Sequence, residues 1–220
     1  ENNDKRSKEL ISVFSERLVD GFIIIPSAGI RKEIEKLIKI GIPVVLGDRY
    51  FEDLPTHYVV IDNFQAAKAA TEHLINNDFE KIAFITIDTP QNQMTDRFKG
   101  YSQAIEDAGL ESIVLRLPFE TINKKEGITS IETLLLKNNI DAVFFSTNYL
   151  TQFAFEIIKK INPDLVYNLG IITFDDNEFF KINNPSITAV AQPIEQIAKE
   201  LMDIMFKILK SKDKNIPLIQ

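Results

Sequence analysis

The sequence contains no cysteine, so disulfides, thiol nucleophiles and thiolate metal sites are all excluded. Its eight glycines nowhere form the G-x-G-x-x-G or Walker pattern that binds nucleotide phosphates. The two histidines, His57 and His73, lie too far apart along the chain for a local metal motif. The longest apolar runs, such as residues 22–25, have the length of a strand and not of a membrane span. We therefore predict a protein without a cofactor, a metal ion or a membrane segment.

Positive charge is also scarce. The chain has 25 Lys and Arg against 32 Asp and Glu, a formal net charge of −7. A nucleic-acid-binding surface needs a basic stripe, so if the whole protein binds DNA, another part of it does so. No G-x-S-x-G elbow is present, and the adjacent carboxylates Asp175 and Asp176 are weak evidence for acid–base chemistry. The sequence therefore predicts a protein that is not an enzyme.

Short apolar runs alternate regularly with segments that have helical spacing. The predicted strands are residues 22–25, 44–46, 59–61, 81–87, 112–117, 141–145, 170–174 and 187–190. Strands this apolar, each followed by a helix, indicate parallel sheets covered on both faces. The predicted fold class is α/β, with two doubly wound parallel-sheet lobes joined by crossover hinges.

The chain is expected to leave the first lobe near Asp62 and to return near Ala191. The predicted first lobe is residues 1–61 with 191–212, and the second is residues 62–190 with 213–220. A doubly wound lobe usually starts with a strand, whereas this chain starts with a helix. We therefore expect that a leading strand–helix–strand segment is missing, the alternative being a naturally smaller first lobe. Residues 216–220 resemble a strand cut short.

Polar side chains follow most of the predicted strands. Examples are Asp62, Asn148, Asp175 and Gln192, with aromatic rings such as Phe179 nearby. Ligands of open parallel sheets bind outside the carboxyl ends of the strands. Because sugar hydroxyls need fixed donors and acceptors and a sugar's apolar face suits an aromatic ring, this set fits a sugar or polyol cleft. Each residue alone could instead cap the following helix.

A series of segments, in order, resembles the effector-binding core of lactose/galactose-type repressors, which is similar to periplasmic binding proteins of type I. They are residues 19–24, 41–46, 48–49, 60–63, 73–74, 81–85, 97–101, 147–148 and 170–176, followed by 185–188 with Gln192-Pro193. Together they extend over nearly the whole chain. The most specific of them is Arg97-Phe98-Lys99-Gly100-Tyr101, which is similar to the family's R-x-x-G-aromatic segment.

This resemblance implies the effector-binding and dimerisation core of a cytoplasmic transcription regulator. A small-molecule effector of the sugar class would bind between the lobes and shift the affinity for operator DNA. The DNA would be bound through an N-terminal helix-turn-helix domain that is not in this chain, and the protein would form a homodimer. The alternative is the sugar-binding protein of an ABC transporter, which shares the fold.

Three residues match ligand-contacting positions of the family most directly. Arg97 matches the arginine that reaches ligand oxygens, although an exposed arginine at the edge of a helix is the alternative. Asp175 matches an aspartate that contacts ligand, the alternative being a cap for residues 177–180, and Asn148 could likewise only cap its own helix. Replacing Arg97 or Asp175 by alanine is expected to weaken binding without unfolding the protein, because both side chains are expected to be partly exposed.

The remaining candidates are less specific. Gln192 could touch the ligand or only the hinge, and Ile61 and Phe179 could line the cleft or belong to the core. Asp62 follows a predicted strand and could also cap a helix. Two positions depart from the family pattern, since Tyr149 stands where aspartate is usual and Gln65 where glycine is usual. Tyr149 could line the pocket or pack between lobes, so the identity of the ligand stays open.

Overall fold

The chain crosses between two separately packed units after Ile61 and again after Gln192. In the computed structural model, which describes residues 3–137, 139–211 and 218–219, the first unit comprises Glu1–Ile61 with Pro193–Gln220. The second unit comprises Asp62–Gln192. The observed return to the first unit thus lies two residues beyond the expected one at Ala191.

The described residues form helices and strands in the alternation that the sequence predicted. In chain order these are α1 (Asp4–Glu16), β1 (Phe22–Ile24), α2 (Arg31–Lys39), β2 (Val44–Gly47), β3 (His57–Val59), α3 (Asn63–Ile75), β4 (Ile82–Ile87), α4 (Asn92–Asp107), β5 (Ile113–Leu117), α5 (Lys125–Lys137), β6 (Ala142–Phe145), α6 (Asn148–Ile161), α7 (Leu165–Asn168), β7 (Gly170–Phe174), α8 (Glu178–Ile182), β8 (Thr188–Val190) and α9 (Ile194–Lys210). Two 3₁₀ turns, Ala28–Ile30 and Phe119–Thr121, precede α2 and α5.

The first unit holds a parallel sheet in the order β1-β2-β3. Successive residues of a strand point to opposite faces. Leu46 accordingly packs into a cluster with Ile34 of α2, whereas Val45 packs with Ile204 and Met205 of α9. The described part of this unit is therefore a parallel sheet with helices on both faces, as the apolar strands predicted.

Two details of the first unit differ from the sequence-based prediction. The third strand is His57–Val59 and not residues 59–61, because its pairing with β2 starts at His57 and ends opposite Gly47. The chain end was expected in the second lobe, but Leu218–Ile219 lies in the first unit. The backbone nitrogen of Tyr58 donates to the Ile219 carbonyl at 3.1 Å, and the Ile219 nitrogen donates to His57 Nδ1 at 3.0 Å. Residues 212–217 and 220 lie outside the described residues.

The second unit holds five parallel strands in the order β5-β4-β6-β7-β8. One face carries an aliphatic core, in which Val143 and Phe145 pack with Leu150 and Ile158 of α6. The opposite face carries a row of aromatic rings that runs from Tyr101 of α4 through Phe84 and Phe144 to Phe174. Both faces are buried, as the uniformly apolar strands predicted. The α/β fold class with parallel sheets is thus confirmed.

The segment Arg97–Tyr101 of α4 fixes the position of that helix by two contacts. The Tyr101 hydroxyl lies 2.9 Å from the Ile82 carbonyl of β4 and accepts the Ile113 N–H of β5 at 3.0 Å. Burial raises the pKa of Tyr101, so the hydroxyl keeps its proton. At Gly100 the backbone of α3 approaches so closely that a Cβ would lie 2.2 Å from the Phe64 carbonyl oxygen. Only glycine permits this distance between α3 and α4.

We expect Gly100→Ala to destabilise the protein by about 1–3 kcal/mol, because the added methyl forces α3 and α4 apart. Helix propensity alone would give the opposite sign, a gain of about 1 kcal/mol. The measurement is the free energy of unfolding in urea. Lys99→Ala, on the exposed side of the same helix, is the control and should change it by less than about 0.5 kcal/mol. A Gly100→Ala protein as stable as the parent would show that the contact does not constrain the helices.

Candidate ligand-binding site

The carboxyl edge of the second unit's sheet gathers polar side chains. Strand β4 has β5 on one side and β6 on the other, so the chain changes direction beside β4. Ligands of open α/β sheets bind at such a switch point, outside the carboxyl ends of the strands. Arg97 follows β4, Asn148 follows β6, Asp175 follows β7 and Gln192 follows β8. The fold therefore brings these four predicted site residues to one edge.

Arg97 is the centre of this edge. Its Nε donates to Asn63 Oδ1 at 2.8 Å, and its Nη1 donates to the Ser146 carbonyl at 2.7 Å. The guanidinium carbon lies 3.5 Å from the centroid of the Phe174 ring, at the end of the aromatic row. Only 2% of the side chain is exposed. The sequence-based expectation of a partly exposed Arg97 is thus wrong, because the protein itself supplies the acceptors and the ring that surround the cation.

Asp175 contacts the buried Arg97 guanidinium and is itself partly accessible to solvent. One carboxylate oxygen, Oδ2, lies 3.6 Å from Arg97 Nη1, and the other accepts a hydrogen bond from Gln192 Nε2. Its side chain is 27% exposed. The backbone of Asp175 has φ +71°, a left-handed conformation that costs a non-glycine residue of order 1 kcal/mol. In this conformation the carboxylate contacts both Arg97 and Gln192.

The alternative of helix capping fails for Asp175 and Asn148 and holds for Asp62. Asn177, not Asp175, caps α8, its Oδ1 accepting from the Phe179 N–H at 2.9 Å. Thr147, not Asn148, caps α6, its hydroxyl accepting from the Leu150 N–H at 3.3 Å. Asp62 caps α3, because its Oδ1 accepts from the Gln65 N–H at 2.9 Å. The half-buried Asn148 amide is therefore not committed to the end of its helix.

Three other predicted residues lie in different surroundings. Ile61 is half-buried and belongs to the first unit. The ring of Phe179 stands edge-on to those of Phe155 and Phe180 and packs on the aliphatic core of the second unit, which is the core role that the sequence also allowed. Tyr149 is 43% exposed, and its ring stacks with that of Phe119.

Sequence reasoning missed the partners that hold Arg97. Asn63 is 5% exposed although it stands in the first turn of α3. In the sequence, only its position directly after Asp62 indicated that it lies near the site. Ser146 contributes a backbone carbonyl, which side-chain patterns do not reveal. Phe174 resembled any apolar strand residue, since no periodicity distinguishes a ring beneath a cation from a ring in the core.

Chemically, the edge offers a carboxylate and two amides, and the hydrogen bond between Asp175 and Gln192 orients these two side chains before any ligand arrives. Asp175 accepts hydrogen bonds only, whereas the amides of Gln192 and Asn148 both donate and accept. Arg97 orients the carboxylate from the buried side, so it acts as a positioning residue. Neighbouring hydroxyl groups on a small polar molecule match this combination of acceptors and donors.

A separate cavity of about 330 Å³ lies in the first unit, where β2 and β3 begin. Its lining includes Pro43, Thr56, His57 and Ile208. Burial and, to a smaller extent, Lys207 lower the pKa of His57, which favours the neutral ring that accepts the Ile219 N–H. Because the cavity is at the amino edge of a parallel sheet, the candidate site is assigned to the carboxyl edge instead.

The described residues hold neither a metal cluster nor a membrane-spanning helix. Within residues 3–137, 139–211 and 218–219, no group of three or more His, Cys, Asp or Glu side chains is arranged to bind a metal ion. None of the helices in the same ranges has the length and apolar composition that crossing a bilayer requires.

Replacing Arg97 should now affect stability, contrary to the sequence-based expectation. Arg97→Ala removes the hydrogen bonds that Arg97 donates to the buried Asn63 and Ser146 oxygens, and we expect the free energy of unfolding to fall by more than about 2 kcal/mol. The matched control is Arg116→Ala, since Arg116 also lies over a phenylalanine ring, 4.4 Å from Phe98, but on the exposed surface. It should cost less than about 1 kcal/mol. If both variants lowered the free energy of unfolding in urea by the same amount, the stabilising role given to Arg97 would be contradicted.

Comparison with known proteins gives the family. Residues 1–147 match the family described as periplasmic binding proteins and sugar binding domain of the LacI family. Among curated proteins, the chain is 29% identical to the HTH-type transcriptional regulator RegA of Clostridium saccharobutylicum, over 97% of this chain and 65% of that protein. It is also 29% identical to the sucrose operon repressor of Lactococcus lactis subsp. lactis, over 94% of this chain and 63% of that protein. The chain therefore spans less than two thirds of the length of either relative.

Solved structures agree in fold. The transcription regulator CcpA of Lactococcus lactis superposes with a TM-score of 0.81 at 22% identity, covering 100% of this chain and 81% of that chain. A LacI family transcriptional regulator from Enterococcus faecium with bound ribose gives a TM-score of 0.80 at 22% identity, covering 96% and 79% of the two chains. The match over residues 1–147, the parallel α/β units and these neighbours show that the chain belongs to the family of periplasmic binding proteins and LacI-type sugar binding domains.

Proposed function

We propose that this chain is the effector-binding core of a DNA-binding transcription regulator, and that it binds a sugar at the carboxyl edge of the second unit. The observation that carries the proposal is the cluster of Arg97, Asp175 and Gln192, in which a buried cation orients a partly exposed carboxylate. In this proposal operator DNA is bound by a domain outside the chain, the protein is a cytoplasmic homodimer, and it catalyses no reaction.

The chemistry of the cluster supports a sugar rather than an anion. The Arg97 guanidinium is 2% exposed and already contacts Asn63, Ser146 and Phe174, so it cannot offer the free bidentate face that phosphate or carboxylate recognition needs. The group that reaches solvent is the Asp175 carboxylate, which repels anions and accepts hydrogen bonds from hydroxyl groups. Relatives named as sucrose and ribose operon repressors support the same class of ligand.

Signalling requires that the sugar bind two conformations of the regulator unequally. A ligand shifts an equilibrium only by the difference of its affinities for the two states. The Asp175–Gln192 hydrogen bond is suited to this purpose, because Gln192 is the last residue of the second unit and Asp175 lies in that unit's sheet edge. A sugar hydroxyl that inserts into this bond alters the restraint on the chain where it leaves the unit.

The second candidate is the sugar-binding protein of an ABC transporter, which is favoured only by the family description that includes periplasmic binding proteins. A regulator and a transport protein differ in whether they bind DNA. In the full-length protein, a regulator binds its own promoter region in a gel-shift assay, with an affinity that changes when the sugar is added. A transport protein shows no such binding, with or without the sugar.

Asp175→Asn tests the site without disturbing the backbone, because asparagine tolerates the left-handed conformation that alanine does not. We expect it to weaken sugar binding by about 10- to 100-fold, the value of a hydrogen bond to a charged group. The measurement is calorimetric titration with ribose, sucrose, glucose and galactose. Asp176→Asn is the control, since Asp176 pairs with Lys181 at 3.0 Å on the surface. Binding that is unchanged in Asp175→Asn, or reduced equally in both variants, would refute the site.

A further inference from the structure

Two exposed aromatic rings lie at the same carboxyl edge as the polar cluster. Phe119 is 53% and Tyr149 43% exposed, and their rings stack with centroids 6.1 Å apart and planes 27° apart. Exposing two large rings side by side to water is unfavourable by the hydrophobic effect. A stacked pair of this kind at a ligand-binding edge is a ready surface for a third ring.

Both rings project from backbone segments that are anchored by buried residues. Tyr149 stands in the first turn of α6, between the Thr147 cap and Leu150, which is completely buried. Phe119 belongs to the turn that leads to Ile122, also completely buried. That turn is pressed against α5, where a Cβ at Gly127 would lie only 2.3 Å from the Thr121 carbonyl oxygen. The platform is therefore preorganised, which lowers the entropy cost of binding a ligand.

The strand order sets the distance between this platform and the polar cluster. Phe119 follows β5 and Tyr149 follows β6, so the pair spans the end of β4, which lies between those strands. Asp175 follows β7, two strands from β4 in the sheet. Neighbouring strands are about 4.8 Å apart, so the end of β4, beneath the aromatic pair, and the end of β7 are separated by roughly 10 Å. This distance is longer than one sugar ring and is similar to the end-to-end length of two linked rings.

We propose that Tyr149, together with Phe119, forms a second-ring subsite, and that the effector is a two-ring glycoside, such as a disaccharide or an aryl glycoside. The inference rests on the proposed function, because Asp175 and Gln192 hold the first sugar ring. The second ring stacks on the Tyr149–Phe119 platform through its apolar face. Tyr149 is thus a specificity-determining residue, which selects the length of the ligand rather than the pattern of its hydroxyl groups.

The experiment compares ligands that differ only in the second ring. Methyl and phenyl β-D-glucopyranoside, methyl and phenyl β-D-galactopyranoside, sucrose and cellobiose are titrated calorimetrically into the parent protein and into Tyr149→Ala. We expect tighter binding of two-ring ligands by the parent, and a loss of about three- to tenfold for those ligands alone in Tyr149→Ala. Tyr167→Ala is the control, because Tyr167 is 63% exposed but lies on α7, before β7 begins.

The outcomes separate this inference from the proposed function. Suppose that binding depends on Asp175 but that Tyr149→Ala weakens the binding of methyl and phenyl glycosides to the same extent, or weakens the binding of neither. The second-ring subsite is then refuted, while the sugar site stands. If none of these glycosides and none of ribose, glucose and galactose binds, or if the binding of every ligand is indifferent to Asp175→Asn, the proposed function itself fails. A loss confined to two-ring ligands in Tyr149→Ala and absent in Tyr167→Ala supports the subsite.

Discussion

The constraint on which the second unit depends is the burial of one cation at the edge of a parallel sheet. A guanidinium taken out of water must be surrounded by acceptors, or its burial destabilises the fold. Here Asn63, the Ser146 carbonyl and Asp175 supply oxygens from three different segments, and the Phe174 ring covers the remaining face. The arginine therefore ties α3, β6 and β7 together and leaves the Asp175 carboxylate partly exposed for contact with a ligand.

The five residues from Arg97 to Tyr101 make this arrangement possible through three different interactions. Arg97 faces the polar edge, Gly100 lets α3 approach, and Tyr101 hydrogen-bonds to the backbone of β4 and β5. Asn63 reaches Arg97 because the close contact at Gly100 fixes α3 beside α4. The same five residues thus determine both the position of α4 against α3 and the sheet and the position of Arg97 in the site.

The sequence predicted the architecture well and the site only in outline. Apolar strands such as Ala142–Phe145 revealed a sheet buried on both faces, because a strand with one face in water would alternate apolar and polar residues. The sequence also indicated which residues end strands, and so which share an edge. It could not show that Arg97 is buried, because its acceptors are a backbone carbonyl and an asparagine 34 positions away. Nor could it distinguish caps from free polar groups, since Thr147 and Asn148, or Asp175 and Asn177, are chemically interchangeable in that role.

We infer that a ligand binds at the carboxyl edge of the second unit, against a carboxylate held by a buried arginine. The most direct measurement is a crystal structure of the protein with a sugar that calorimetry has shown to bind, at a concentration well above its dissociation constant. We expect sugar oxygens within about 3.2 Å of the Asp175 carboxylate and the Gln192 amide. Density for the sugar in the cavity beside Thr56 and His57 at the amino edge of the first unit, with the Asp175 edge empty, would contradict it.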